Sequence, residues 1–303
     1  MIRLAVRCRP ERAERVLAEL LELVPGGVEE VGLVANPGAP GREAEDVPGM
    51  YEYAIYGPPG EVPSVPDLEV AAGDGLVEIS STEIPDDWAD RWRDFHRPVE
   101  VASGRIVVTP SWEPRPSPDP GTPGGEAEEV AGQVFVVVDP GQAFGTGAHA
   151  TTTLCLELLL ELADRGAAAG PLADLGTGSG VLAIAAAKLG WGPVSGCDSE
   201  QAALDAAAEN AAANGVQVGL ERINLRERPP PAAPTLVANL TAPLLEEVAG
   251  RIMPAPGWLV CSGLLATEID RVTGALAEAG IEITERRHRG DWTGLLGSGL
   301  PSG

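Results

Sequence analysis

Apolar and polar residues alternate over residues 2–8, IRLAVRC, with the period of a half-buried strand. Over 11–23, ERAERVLAELLEL, the apolar spacing changes to three and four, the stripe of an amphipathic helix, and it stops before Pro25-Gly26-Gly27. VEEVGLVA and MYEYAIYG read as strands on either side of a loop rich in Gly, Pro and acid, and LVEISST reads as another. PPGEVPSVPDLEVAAGDG, between the last two, fits neither period. One helix among four strands predicts a small α+β domain, ferredoxin-like in outline, over residues 1–82.

Residues 83–96 then read as a linker helix, in which Trp88 and Trp92 are four apart and share one face. VEVASGRIVVTPSW predicts a strand pair around Ser103-Gly104, and FVVVDP a buried strand. Between them EPRPSPDPGTPGGEAEEVAG, residues 113–132, has almost no apolar content and is expected to be a disordered loop. Beyond it strands alternate with helices: LADL, VSGCD, TLVANL as a fourth strand, GWLVCSG as a fifth, and IEITERRHRG with DWTGLLGSG as a closing hairpin. That alternation predicts an α/β domain over 97–303, a parallel, Rossmann-like sheet covered by helices on both faces.

Charge narrows the partners. The 303 residues carry a formal net charge of −24, and residues 1–96 hold 8 Arg against 20 Asp and Glu. Such a surface repels nucleic acid and anionic lipid and attracts basic proteins, while acidity that serves only solubility stays an equal alternative. Cys8, Cys155, Cys197 and Cys261 are far apart, so neither a zinc site nor a disulfide framework is expected. MIRLAVRCRP has no apolar leader core and no apolar run reaches the span of a membrane helix; a soluble, cytoplasmic protein is expected.

Two segments carry chemistry. DPGQAFGTGAHATTTLCLELL places Gly-Thr-Gly ahead of a threonine run and an apolar helix, but no Gly-Lys-Ser/Thr follows, so it is not a phosphate-binding P-loop. In PLADLGTGSGVLAIAAAKLG a short strand leads to Asp174, three glycines follow at alternate positions, Gly176, Gly178 and Gly180, and a helix runs to Gly190, a C-terminal cap. Asp198 ends the next strand, where a carboxylate can accept both ribose hydroxyls of a nucleoside. GSGVLA also fits a looser dinucleotide pattern, which leaves a nicotinamide-dependent oxidoreductase open. An acid ahead of the first glycine suits a ligand bearing an ammonium instead of a pyrophosphate, and S-adenosylmethionine carries an ammonium, a ribose and no phosphate. Asn239 ends the fourth strand at the ligand-binding edge of the sheet. It stands in Asn-Leu-Thr-Ala, not in the Asn-Pro-Pro-aromatic sequence of enzymes that methylate adenine, which disfavours DNA methylation.

With DDWADRWRDF, DPGQAFGTGAHATTTLCLELL, LADLGTGSGVLAIAAAKLG with GCDSEQAALDAAAENAAANGV, and LVANLTAPLLEEVA through LVCSGLLATEID, the chain resembles the family that methylates the large-subunit ribosomal protein L-eleven (L11). The resemblance covers most of residues 84–272. It implies a seven-stranded class I methyltransferase sheet with a terminal antiparallel strand, S-adenosylmethionine as cofactor, and an N-terminal substrate-recognition domain. It also implies cofactor contacts at Thr152, Gly176, Asp198 and Asn239, and a 141–153 loop folded over the methionine end. Family members commonly show Thr-His-Pro where this chain has Ala148-His149-Ala150. The acceptor implied is a lysine or N-terminal amine of L11, with a lysine of another protein or a small amine as the alternative. Plain structural roles compete at each site: helix caps for Thr151, Thr152, Thr153 and Asp198, a turn cap for Asp174, backbone satisfaction for His149, core packing for Trp292.

Overall fold

The computed structural model describes residues 2–23, 28–34, 50–57, 62–64, 66, 68–69, 76–83, 97–113, 132–139 and 149–299. The expected linker helix around Trp88 and Trp92, most of the 113–132 loop and residues 141–148 lie outside them. The chain divides into two compact units, Met1–Phe95 and His96–Gly303.

The first unit holds β1 (Ile2–Cys8), α1 (Ala13–Leu23, entered through a 3-10 turn at Pro10–Arg12), β2 (Glu29–Val34), β3 (Met50–Gly57) and β4 (Leu76–Glu83). All pairings are antiparallel, in the order β2-β3-β1-β4. The alternation in β1 puts Leu4, Val6 and Cys8 on one face, all buried, and Arg3 and Arg7 on the other. There Glu52, buried on β3, pairs with both arginines, and Arg7 also reaches Glu78 at 2.6 Å. A carboxylate in that position is tolerated because two guanidinium groups share its charge.

The second unit opens with a small sheet of β5 (Val99–Val101), β6 (Ile106–Thr109) and β7 (Val134–Val137), where β6 lies antiparallel to β5 and parallel to β7. The turn between β5 and β6 holds Ala102, Ser103 and Gly104 all at positive φ. Then follow α2 (Ala150–Asp164), β8 (Leu172–Leu175), α3 (Val181–Leu189), β9 (Val194–Asp198), α4 (Gln201–Ala213), β10 (Val218–Arg222), β11 (Thr235–Asn239), α5 (Ala242–Ala249), β12 (Trp258–Leu265), α6 (Ile269–Glu278), β13 (Ile281–Arg289) and β14 (Trp292–Gly299). The large sheet has the order β10-β9-β8-β11-β12-β14-β13 and is parallel except for β14.

Both faces of this sheet are covered, which is why its central strands read as unbroken apolar runs. Val237 of β11 joins Leu159, Ile184 and Val260 in one core, while Leu236 and Ala238 join Leu245, Val248 and Val272 in the other. β8 pairs with β9 on one side and β11 on the other, so the connections change direction between β8 and β11. A crevice opens outside the carboxyl ends of the strands at such a switch point.

The exit of β11 is set by β12. A bulge between Cys261 and Leu264 holds Gly263 at φ +93°, and the Leu240 N–H donates to the Ser262 carbonyl at 3.1 Å. A Cβ on Gly263 would overlap the Leu240 carbonyl oxygen and stand 2.7 Å from its carbonyl carbon. Gly263→Ala is therefore expected to cost about 2–4 kcal/mol of stability through backbone strain and overpacking. Urea denaturation at an unchanged slope checks this; a midpoint equal to the parent's contradicts it.

Candidate functional site

The glycine turn after β8 is closed by one carboxylate. Asp174 is the third residue of β8, not its end, and is 1 % exposed. Its Oδ2 accepts from the Thr177 hydroxyl at 2.8 Å and from the Ala183 N–H at 3.2 Å, which ties the turn to the first turn of α3. Its Oδ1 is buried and has no hydrogen-bond partner among the described residues. Burial pushes the carboxyl up to about 7; the bonds from Thr177 and Ala183 act the other way, and the charge of Asp198 adds to the rise.

Gly176, Gly178 and Gly180 all have positive φ, at 71°, 52° and 81°. Two are also forced by space: a Cβ on Gly176 would lie 2.5 Å from Leu240 Cδ2, and one on Gly180 would lie 3.1 Å from the Cβ of Ala207. The N–H groups of Gly176 and Thr177 both donate to the Cys197 carbonyl at 2.9 Å, which holds the turn against the end of β9.

Asp198, the last residue of β9, meets the same turn. Its Oδ2 accepts from the Gly178 N–H at 3.0 Å and its Oδ1 from the Glu200 N–H at 3.1 Å. The competing reading of Asp198 as the cap of α4 is corrected here: Glu200 is the N-cap residue, without a side-chain bond, and Asp198 binds the N–H of the cap residue itself.

Asn239 ends β11, and its Nδ2 donates to Thr152 Oγ1 at 3.3 Å. Thr152 is fully buried in the first turn of α2. The threonines are not the caps of that helix. His149 is, with Nδ1 accepting from the Thr151 N–H at 3.3 Å, while its carbonyl takes both the N–H and the hydroxyl of Thr153. The His149 ring packs edge-on against buried Trp292, centroids 5.0 Å apart.

Asp174, the three glycines, Asp198 and Asn239 thus stand at the carboxyl ends of β8, β9 and β11, and Thr152 joins them through Asn239. The sequence reading missed Thr177 as the partner of Asp174. It also missed Gly196, where a Cβ would lie 2.8 Å from Thr177 Oγ1, and Gly263 behind Leu240. Gly196 and Gly263 sit inside strands, where glycine marks a close approach, and that was the available signal.

Residues 67–298 match the model of the ribosomal protein L11 methyltransferase family. The chain belongs to that family. It is 36% identical over 316 residues to the ribosomal protein L11 methyltransferase of Pelotomaculum thermopropionicum, covering 97% of each chain. It is 32% identical to that of Symbiobacterium thermophilum, covering 97% of this chain and 98% of the relative. The crystal structure of the ribosomal protein L11 methylase from Lactobacillus delbrueckii subsp. bulgaricus superposes with a TM-score of 0.55 at 29% identity, over 67% of this chain and 98% of that one.

As a member of the ribosomal protein L11 methyltransferase family the protein uses S-adenosylmethionine, and the oxidoreductase reading falls away. The residues present fit that cofactor. The unpartnered Oδ1 of Asp174 is an acceptor for a cation, and neither Lys nor Arg stands among the site residues as a counter-charge for a pyrophosphate.

The raised pKa of Asp174 has a consequence for stability. Its folded value of about 7 exceeds the ordinary 3.8, so its effect is fully favourable only at low pH and is lost as pH rises from the lower value to the higher. Between pH 5 and pH 8 the unliganded protein is expected to lose roughly 2–3 kcal/mol relative to Asp174→Asn. Denaturation of both proteins at the two pH values measures this; parallel changes refute it.

Proposed function

We propose that Thr152, Asp174, Gly176, Gly178, Gly180, Asp198 and Asn239 bind S-adenosylmethionine, and that the protein methylates lysine amines, and an N-terminal amine as a second target, of ribosomal protein L11. The observation that carries this is the buried Oδ1 of Asp174, an acceptor without a partner at the switch point of a methyltransferase sheet. Asp174 serves the cofactor's ammonium. Asp198 serves its ribose: each carboxylate oxygen already accepts one N–H, and the lone pairs that remain suffice for two hydroxyls. The glycines let the backbone approach the ligand, and Asn239 orients the amine, with Nδ2 engaged by Thr152 and Oδ1 left to accept an N–H.

Residues 1–82 are the substrate-recognition domain in this reading, 83–96 the linker and 97–303 the catalytic domain. The antiparallel order β2-β3-β1-β4 supports a ferredoxin-like fold, and its dense acidity suits a basic ribosomal protein, not nucleic acid. Among the described residues no helix is long and apolar enough to cross a membrane, and a ribosomal substrate is consistent with work in the cytoplasm.

The chemistry asks little acid–base help of the chain. S-adenosylmethionine supplies a methyl group activated by a sulfonium. A lysine near pKa 10.4 is neutral about one time in a thousand near pH 7.4, a cost of about 4 kcal/mol. Burying the amine beside positive charge lowers its pKa further, so no dedicated base is assigned. What remains for Asn239 and the surrounding backbone is to hold the amine in one orientation.

Asp198→Ala loses two charge-assisted bonds to the ribose, of about 1.5–3 kcal/mol each, so cofactor affinity is expected to fall at least about tenfold. Calorimetry on the folded variant decides, and an unchanged affinity sinks the assignment. Labelled S-adenosylmethionine incubated with whole ribosomal protein and read by mass spectrometry tests the substrate. The full chain is expected to label L11, and a chain starting near residue 84 to bind cofactor while labelling collapses. A truncated chain that labels L11 at the full rate refutes the recognition role of 1–82.

A further inference from the structure

Two asparagines interrupt the alanine-rich helix α4 and its end, Asn210 and Asn214, in a position where Asn is a poor helix former. Each does the work of a strand. Asn214 Oδ1 accepts from the Val137 N–H at 2.8 Å and its Nδ2 donates to the Val137 carbonyl at 2.6 Å. Asn210 Oδ1 accepts from the Asp139 N–H at 3.1 Å. On its other edge the same segment meets β6, where the Val138 N–H donates to Thr109 O at 3.0 Å. The spacing makes this pairing natural. Four residues of helix rise about 6 Å and two residues of strand about 6.6 Å, so side chains at i and i+4 meet backbone groups at j and j+2.

Asn210 also does something Asn214 does not. Its Nδ2 donates at 2.9 Å to the carbonyl of Ser179, between the second and third glycines of the cofactor turn. One amide, 5 % exposed, thereby fixes Asp139 and Ser179 with respect to each other. The Asp139 side chain is held independently, by the N–H and hydroxyl of Ser111 at 2.6 and 2.7 Å. Asp139 is the residue from which the chain enters the Pro-Gly-Gln-Ala-Phe-Gly-Thr-Gly block.

We propose that Asn210 is a positioning residue for methyl transfer: its side-chain amide holds Ser179 of the glycine turn in register with the backbone of Asp139, itself anchored by Ser111. This rests on the reading above, in which the turn binds the cofactor. The residue touches neither cofactor nor substrate and acts through the two backbone groups it holds.

The test compares Asn210→Ala and the milder Asn210→Ser with Asn214→Ala. The control removes two bonds to Val137 and one, at 2.8 Å, to the Asn210 backbone carbonyl, but leaves the side-chain bonds of Asn210 to Asp139 and Ser179 in place. Methylation of L11 is followed at saturating S-adenosylmethionine, with cofactor affinity and melting temperature measured on the same preparations. Both Asn210 variants are expected to lose kcat by about tenfold to a hundredfold with KM for the protein changed less than about twofold, as a misplaced reacting group demands. Asn214→Ala is expected to melt at a lower temperature and keep kcat within about twofold. Equal loss of kcat in all three, or none in the Asn210 variants, overturns the proposal; if Asn210→Ala does not fold, Asn210→Ser decides by the same criteria. Failure of the cofactor-site reading is seen separately, as an Asp198→Ala variant of unchanged cofactor affinity.

Discussion

The site depends on a buried carboxylate that is only half satisfied. Asp174 uses one oxygen to hold Thr177 and the N–H of Ala183, and that pair of bonds closes the turn and starts α3 where it is. The other oxygen is buried without a donor among the described residues. Removing a carboxylate from water is costly, and here the cost appears as a carboxyl pushed up to about 7. A group of this kind is a strained component of the free protein and an acceptor ready for a cation. In the proposed reading, structural and binding roles belong to different atoms of the same side chain.

Around that carboxylate the backbone is crowded. The Cys197 carbonyl accepts two N–H groups of the glycine turn, Leu240 presses on Gly176, Ala207 on Gly180, and Gly263 admits the Leu240 backbone. The exits of β8, β9, β11 and β12 converge there, and each contact is possible because one partner lacks a Cβ or has only a methyl group. Small residues at this end of the sheet are thus a packing requirement as much as a means of approaching a ligand.

Polar side chains do the rest of the alignment. Asn210 and Asn214 replace a neighbouring strand at the edge of β7, Asn239 reaches Thr152 across from α2, and His149 caps that helix while its ring rests on Trp292. The amide of Asn210, the buried one of the three, specifies geometry most strongly, because a mispaired donor or acceptor is expensive in a low-dielectric interior.

The alternation of strands and helices in the second unit, the glycine turn, the acid at the end of β9 and the hairpin that closes the sheet were legible in the sequence, while β10 and α5 were not singled out. They are local matters: periodicity, glycine spacing and apolar runs act over a few residues and need no partner. The cap of α2 stayed open among three threonines and a His149 that satisfies backbone groups, and it is Nδ1 of His149 that takes the Thr151 N–H. Thr177, Gly196, Gly263 and the bridge made by Asn210 were not legible, since their meaning lies in residues far along the chain. Local pattern accounts for most of the strands and helices and for the side chains able to carry chemistry at the strand ends. Which of those side chains meet, and which oxygen of Asp174 is left over, follows from how distant segments pack. Hydrogen bonding and Cβ clearance depend on distances of a few tenths of an ångström between segments that no local pattern relates.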